Sequence, residues 1–150
     1  MKRLKLKSMF IIVLLLFTAA AVCLGKDVGF AGKEEVKAYC ETVMNMLMKG
    51  KTKEAFDLLG AEWSFDEAEI GKARDQSERE QAVLKERFGQ AVGIQLVKEE
   101  EVAGVGLRYT YIIRYEKAPI RWQFIFYKPK DRWLLNGFKW DNAFEVLFER

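Results

Sequence analysis

From Arg108 to Tyr127 the chain alternates between two sets of side chains on both sides of Ala118-Pro119, a period that belongs to strands and not to helices. A turn at Ala118-Pro119 with an even loop places Glu116 opposite Arg121, Tyr115 opposite Trp122, Ile113 opposite Phe124 and Tyr111 opposite Phe126. This register predicts one sheet face built from Tyr111, Ile113, Tyr115, Trp122, Phe124 and Phe126. The other face carries Arg108, Thr110, Ile112, Arg114, Gln123, Ile125 and Tyr127. The first must meet a second layer, whereas the second is mixed and partly wet. The stretch RWQFIFYKPKDRWLLNGFKWD, Arg121 to Asp141, combines aromatics with cations like a binding patch. Alternation divides it into two strands and a proline turn, with Trp122, Phe124 and Phe126 directed to a core.

The flanking segments complete a sheet. VGIQLVKEE places Val92, Ile94 and Leu96 on one face and leads through Glu99 to Glu101 into a turn at Gly104. Those three adjacent carboxylates alternate sides along a strand, so they do not converge on a metal ion. After the Pro129 to Asp131 turn, Trp133 and Leu135 point one way while Leu134, Phe138 and Trp140 point the other, which predicts a last strand buried on both faces.

Before residue 89 the period is helical. Val36, Tyr39, Val43 and Leu47 share one stripe of a first helix stopped by Gly50, with Met44, Met46 and Met48 widening its apolar surface. A short second helix turns Ala55, Phe56 and Leu59 inward and ends at Gly60. Two capping boxes, Ser64 with Glu67 and Ser77 with Glu80, predict further helices over Phe65 to Asp75 and Glu78 to Phe88, closed by Gly89. Helices first and strands after give an α+β domain, with the N-terminal helices on one face of a curved antiparallel sheet of about four strands.

The first 25 residues form a secretory signal peptide: Lys2, Arg3, Lys5 and Lys7, an apolar run from Met9 to Val22, and small residues up to Gly25. Residues 1–25 are thus a signal peptide and residues 26–150 the domain, exported to the periplasm or beyond the cell. Cys23 follows Val22 and has Ala20 where leucine is usual, which departs from a lipoprotein signal. Contact with a membrane then arises only through the signal segment when uncleaved. Its four cations account for the apparent basicity, because 21 of the 25 cations remain against 22 anions. That balance offers no global footprint for nucleic acid or for an anionic membrane. A cut after Gly25 removes Cys23 and leaves Cys40 without a disulfide partner and suited to burial, whereas a cut at Ala19-Ala20-Ala21 keeps Cys23 and allows a Cys23–Cys40 link.

The chain contains no histidine, which excludes ordinary serine and cysteine triads and HExxH zinc sites. One mature cysteine leaves no zinc cluster, and no cofactor motif stands out. GKT at Gly50 to Thr52 lacks the preceding strand and the first glycine of a phosphate loop, and reads as a helix-to-helix turn.

The order of helices and strands, together with FGQAVGIQLV and YTYIIRYEKAPIRWQFIFYKPKDRWLLNGFKWD, resembles the nuclear-transport-factor-2-like, cystatin-like superfamily of cone-shaped domains, and within it small exported bacterial proteins of unknown function. The resemblance covers nearly the whole mature chain. It implies a conical cavity and either a non-catalytic binding or interaction module or an isomerase- or lyase-like enzyme using a tyrosine and a carboxylate. Fold alone does not choose between them. The inward face of the hairpin carries phenols but neither Asp nor Glu, while Asp66 and Asp141 stand at a cap and a strand end, which puts catalysis of that type in doubt. The expected function is non-catalytic, with a small apolar ligand or a peptide held by a lining of Trp63, Tyr111, Tyr115 and Trp122, and Arg114 as a polar anchor. The outer sheet face, if not covered by the C-terminal segment, suggests a homodimer.

Overall fold

The computed structural model describes residues 28–149. Residues 1–25, expected to form a signal peptide, and Cys23 among them lie outside the described residues. Three helices precede four strands: α1 (Lys33–Met48), α2 (Thr52–Glu62), α3 (Glu67–Phe88), β1 (Ala91–Val102), β2 (Gly106–Tyr115), β3 (Pro119–Tyr127) and β4 (Leu134–Asp141), followed by a single 3-10 turn, Glu145–Phe148. The strands form one antiparallel sheet in the order β1-β2-β3-β4. This is the expected α+β arrangement.

On α1, Val36, Tyr39, Val43 and Leu47 are buried as their spacing predicts, joined by Cys40 and Met44. Gly50 stops it with φ of 73°, a conformation that a side chain would strain. Ala55, Phe56 and Leu59 are the buried apolar face of α2, which runs past Gly60 to Glu62. Together they pack against Leu107, Tyr109, Tyr111, Ile113, Ile120, Trp122, Phe124 and Phe126 of the central strands. A burial of this kind, worth about 2 kcal/mol for each large apolar side chain, is what the alternation demanded of the sheet.

Four details differ from expectation, each for a physical reason. The two helices drawn between Phe65 and Phe88 are one, α3, capped by Asp66, whose side chain accepts from the Ala68 N–H at 2.9 Å. Neither glycine nor proline separates Asp75 from Glu78, so the helix propagates through Ser77, which is buried in mid-helix and caps nothing.

The central hairpin turns earlier than expected. Trp122 meets Tyr111 and not Tyr115, Phe124 meets Tyr109, Phe126 meets Leu107, and Ile113 faces Ile120. Turning at Glu116 to Ala118 lets Ile120 be buried within β3 instead of being spent in the turn, and sets Pro119, which has no N–H, at the strand's start. The slip is even, so every side chain keeps its face although its partner changes. Arg121 consequently pairs with Asp141 and not with Glu116, whose carboxylate accepts instead from the Gln90 N–H at 3.2 Å.

In β4, Ile125 faces Gly137 and Phe126 faces Leu135, leaving Asn136 as a bulge. The extra residue reverses the phase, so Leu135, Phe138 and Trp140 all lie on the helix side. The strand is not apolar on both faces. Likewise bulges in β1 at Val92 and Val97 leave those two valines exposed, while Ile94 and Leu96 pack on the core.

The edges are treated differently. Isolated bridges from Phe30 to Trp133 and from Trp63 to Leu135 cover the β4 side, whereas β1 is protected by its bulges. The outer face is partly covered within the single chain, since Thr110, Ile112 and Gln123 are buried there and Gln123 donates to the Thr110 hydroxyl at 3.1 Å.

Candidate functional site

The interior of the domain is filled by its own side chains. Tyr111 is 1% exposed and Trp122 4% exposed, and the gap between Leu47, Ile113, Tyr115, Trp122 and Trp140 holds only about 10 Å³. Burial pushes the phenols of Tyr39, Tyr109 and Tyr111 well above the ordinary tyrosine range. The Tyr111 hydroxyl has no protein hydrogen-bond partner. Tyr109 donates to the Lys33 carbonyl at 3.3 Å and to Glu99 at 3.4 Å.

The five residues expected to line a pocket are dispersed. Tyr111 and Trp122 are neighbours across β2 and β3 within the core. Tyr115, at the far end of β2, shares the small gap with Trp122 and also borders a cleft of about 190 Å³ with Leu47, Gly89 and Gln90. Arg114 is exposed on the outer face, its guanidinium lying over Gly93, where a Cβ would meet it at 2.5 Å. Trp63 alone borders substantial open space.

That space consists of two clefts sharing Trp63 and Ile70. One, of about 640 Å³, is walled by Phe56, Gly60 and Trp63 from α2 and its end, Phe65 from the linker, and Ile70 and Arg74 from α3. The other, about 340 Å³, lies between α3 and β4, with Ala73 and Gln76 facing Phe138, Lys139 and Trp140. The local sequence explains the opening. Trp63 is the extended C-cap of α2 and bridges to Leu135, so the chain must leave the sheet edge before Asp66 can start α3. Among apolar residues only Ile70 of α3 is buried, so this helix lies lightly on the layer beneath it.

An aromatic series runs inward from the cleft. Phe65, 55% exposed, meets Trp63 edge-on at 5.1 Å, and Trp63 meets Phe138 at 5.4 Å. Phe138 stacks with Trp140 at 6.5 Å, and Trp140 with Trp122 at 4.8 Å. The Trp140 indole donates to Glu80 of α3 at 2.6 Å, whereas the Trp63 indole N–H is buried without a protein acceptor. Carboxylates at the rim are Asp57, Glu67 and Glu69, and the cations are Arg74 and Lys139; no tyrosine lines either cleft.

Phe65, Ile70, Phe138, Trp140 and Glu80 were not singled out as site residues from sequence. The sequence did place Trp63 beside a helix start, but only the Asn136 bulge turns Phe138 towards it. Among the described residues no group of three or more His, Cys, Asp or Glu side chains is arranged to hold a metal. Glu99 to Glu101 are separately engaged, with Tyr109, Arg108 and Lys33 respectively. No family model matches the chain, and no curated protein and no solved structure matches it either.

Proposed function

We propose that the chain is an exported, non-catalytic binding domain of the nuclear-transport-factor-2-like kind, whose ligand site is the pair of clefts at Trp63 and not the interior of the cone. The observation that carries this reading is the contrast between a sheet interior filled by Tyr111 and Trp122 and the open volumes beside Trp63. Those volumes fall within the roughly 300–1,000 Å³ typical of small-ligand sites. Their lining of Trp63, Phe65, Ile70, Phe138 and Trp140 suits a small, flat apolar ligand or an aromatic side chain of a peptide. An isomerase-type site would need a phenol beside a carboxylate in one cleft, and these clefts bring carboxylates without a phenol.

Native mass spectrometry of the protein purified from its own host tests the reading. A retained small molecule or peptide is expected, and Trp63→Leu should release it while the Trp122 core stays folded. Retention unchanged in Trp63→Leu would refute the site. The same spectra count subunits: Ile125 and Tyr127 stay exposed on the outer sheet face, the surface through which a second copy would join.

A further inference from the structure

The lane beside β4 is already used by extended chain, but only along part of the strand. Phe30 pairs antiparallel with Trp133 and Trp63 parallel with Leu135, after which the chain leaves the edge and Asp66 starts α3. Past Leu135, none of the described residues pairs with the outer edge of β4. From Gly137 to Asp141 the register against β3 is unbroken, unlike the bulged edge of β1.

The hydrogen-bond phase of the sheet determines what that edge presents. Across β2 and β3 the Tyr115 N–H donates to the Ala118 carbonyl and the Lys128 N–H to the Val105 carbonyl, so the even-numbered residues of β3 bond to β2. Arg121, Gln123 and Ile125 therefore bond to β4, through Asp141, Lys139 and Gly137. The alternate residues Phe138 and Trp140 turn their main-chain N–H and C=O groups to the open edge, while their rings pack on the helix side.

Clefts lie along the same stretch. The one of about 340 Å³ beside Trp63, Ile70 and Ala73 is also bordered by Lys139, an outer-face position opposite Gln123, so it opens across the strand edge. A further cleft of about 230 Å³ continues past Trp140, between Leu84 and Phe88 of α3 and Asp141 and Asn142. Free backbone groups beside apolar clefts on one face suit an added strand, whose main chain supplies affinity and whose alternate side chains supply specificity. A small apolar ligand fills the clefts but leaves those backbone groups unused. We infer, on the reading that the Trp63 clefts are the ligand site, that the occupant is an extended peptide segment of a partner protein. It adds to β4 beside Phe138 to Trp140 and sends apolar side chains at alternate positions into the two clefts.

Octapeptides in which Phe or Leu alternates with Thr are the probes, titrated in excess into the protein purified from its own host. Binding is expected to slow hydrogen exchange at the Phe138 and Trp140 main-chain amides by about tenfold or more, the equivalent of one hydrogen bond. The Lys139 amide, already facing β3, should not change. Methylating alternate peptide nitrogens gives two series. One sets its methyl groups against β4 and should lose about tenfold in affinity for each, while the other turns them to solvent and should bind as before. Equal affinities in the two series, or unchanged exchange at Phe138 and Trp140, overturn the inference. So does the failure of every alternating peptide to bind, or a dimer joined through this edge that the peptides do not dissociate. In each of those cases a retained small molecule that Trp63→Leu releases keeps the clefts as the ligand site. Strand addition that Trp63→Leu leaves unweakened instead overturns the site reading, and with it the placement of the peptide side chains.

Discussion

The guanidinium of Arg121 and the carboxylate of Asp141 meet as a two-bond fork across β3 and β4, Nε to Oδ1 at 2.9 Å and Nη2 to Oδ2 at 2.7 Å. Asp141 also accepts the Ala143 N–H at 3.0 Å, so the fork ties the C-terminal turn to the outer sheet face. The Arg121 hydrogen bonds hold the Asp141 carboxyl below the ordinary aspartate range. A depressed folded-state pKa contributes stability above the unfolded value and loses it as pH falls through the folded one. Asp141→Asn is therefore expected to cost about 1–2 kcal/mol at neutral pH and to flatten the acid limb of the melting-temperature profile. Identical acid limbs for the two proteins would contradict this.

Asp66 and Ser77 separate one long helix from two short ones. Asp66→Ala removes the side-chain acceptor of the Ala68 N–H and should cost about 1 kcal/mol. Ser77→Ala should change stability by no more than about 0.5 kcal/mol, because alanine is the better helix former and no cap is lost. Ser77→Leu should cost about 1–3 kcal/mol, since the residue lies where α3 closes over Leu47, Trp122 and Trp140. Urea denaturation distinguishes these outcomes, and a large loss in Ser77→Ala would restore the two-helix reading.

Trp122 and Trp63 belong to the same aromatic series but differ in burial. Trp122→Ala opens the core beside Tyr111 and Trp140 and should cost about 3–5 kcal/mol. Trp63→Ala removes a half-buried wall of the clefts and should cost less than half as much. Chemical denaturation monitored by the remaining tryptophans measures both, and equal losses would show that Trp63 is core and not cleft.

Side-chain period carried most of the layer assignment. Val36, Tyr39, Val43 and Leu47 on α1 and Tyr111, Ile113, Trp122, Phe124 and Phe126 on the central strands are buried as their spacing requires. Pairing was less legible, because a slip by an even number of residues leaves both faces unchanged and alternation alone does not distinguish Tyr111 from Tyr115 as the partner of Trp122. Bulges were less legible still: Gly93 beside Val92 and Gly137 beside Asn136 are the kind of residue that marks one inside a strand, but which residue leaves the ladder shows only through the partners on the neighbouring strand. The site inherited that loss. Plain alternation sets Phe138 and Trp140 on the face opposite Leu135, and only the bulge brings all three to the side of Trp63.

The bulge yields the sharpest contrast. On β4, Trp140 and Phe138 face the helices, Gly137 faces outward opposite Ile125, and Leu135 faces inward opposite Phe126, with Asn136 outside the ladder between them. Deleting Asn136 joins Leu135 directly to Gly137 and leaves every inward residue inward, so a loss of about 1 kcal/mol from altered twist and turn closure is expected. Deleting Lys139 instead reverses the phase next to Trp140. The strand can absorb that change only by drawing Asn136 into the ladder and turning Phe138 outward, away from Phe56 and Trp63. That exposes a ring and empties one wall of the cleft, for a loss of about 3–5 kcal/mol. Urea midpoints of the two deletion variants compare the costs, and equal destabilisation would show that Asn136 is not the phase-correcting residue of β4.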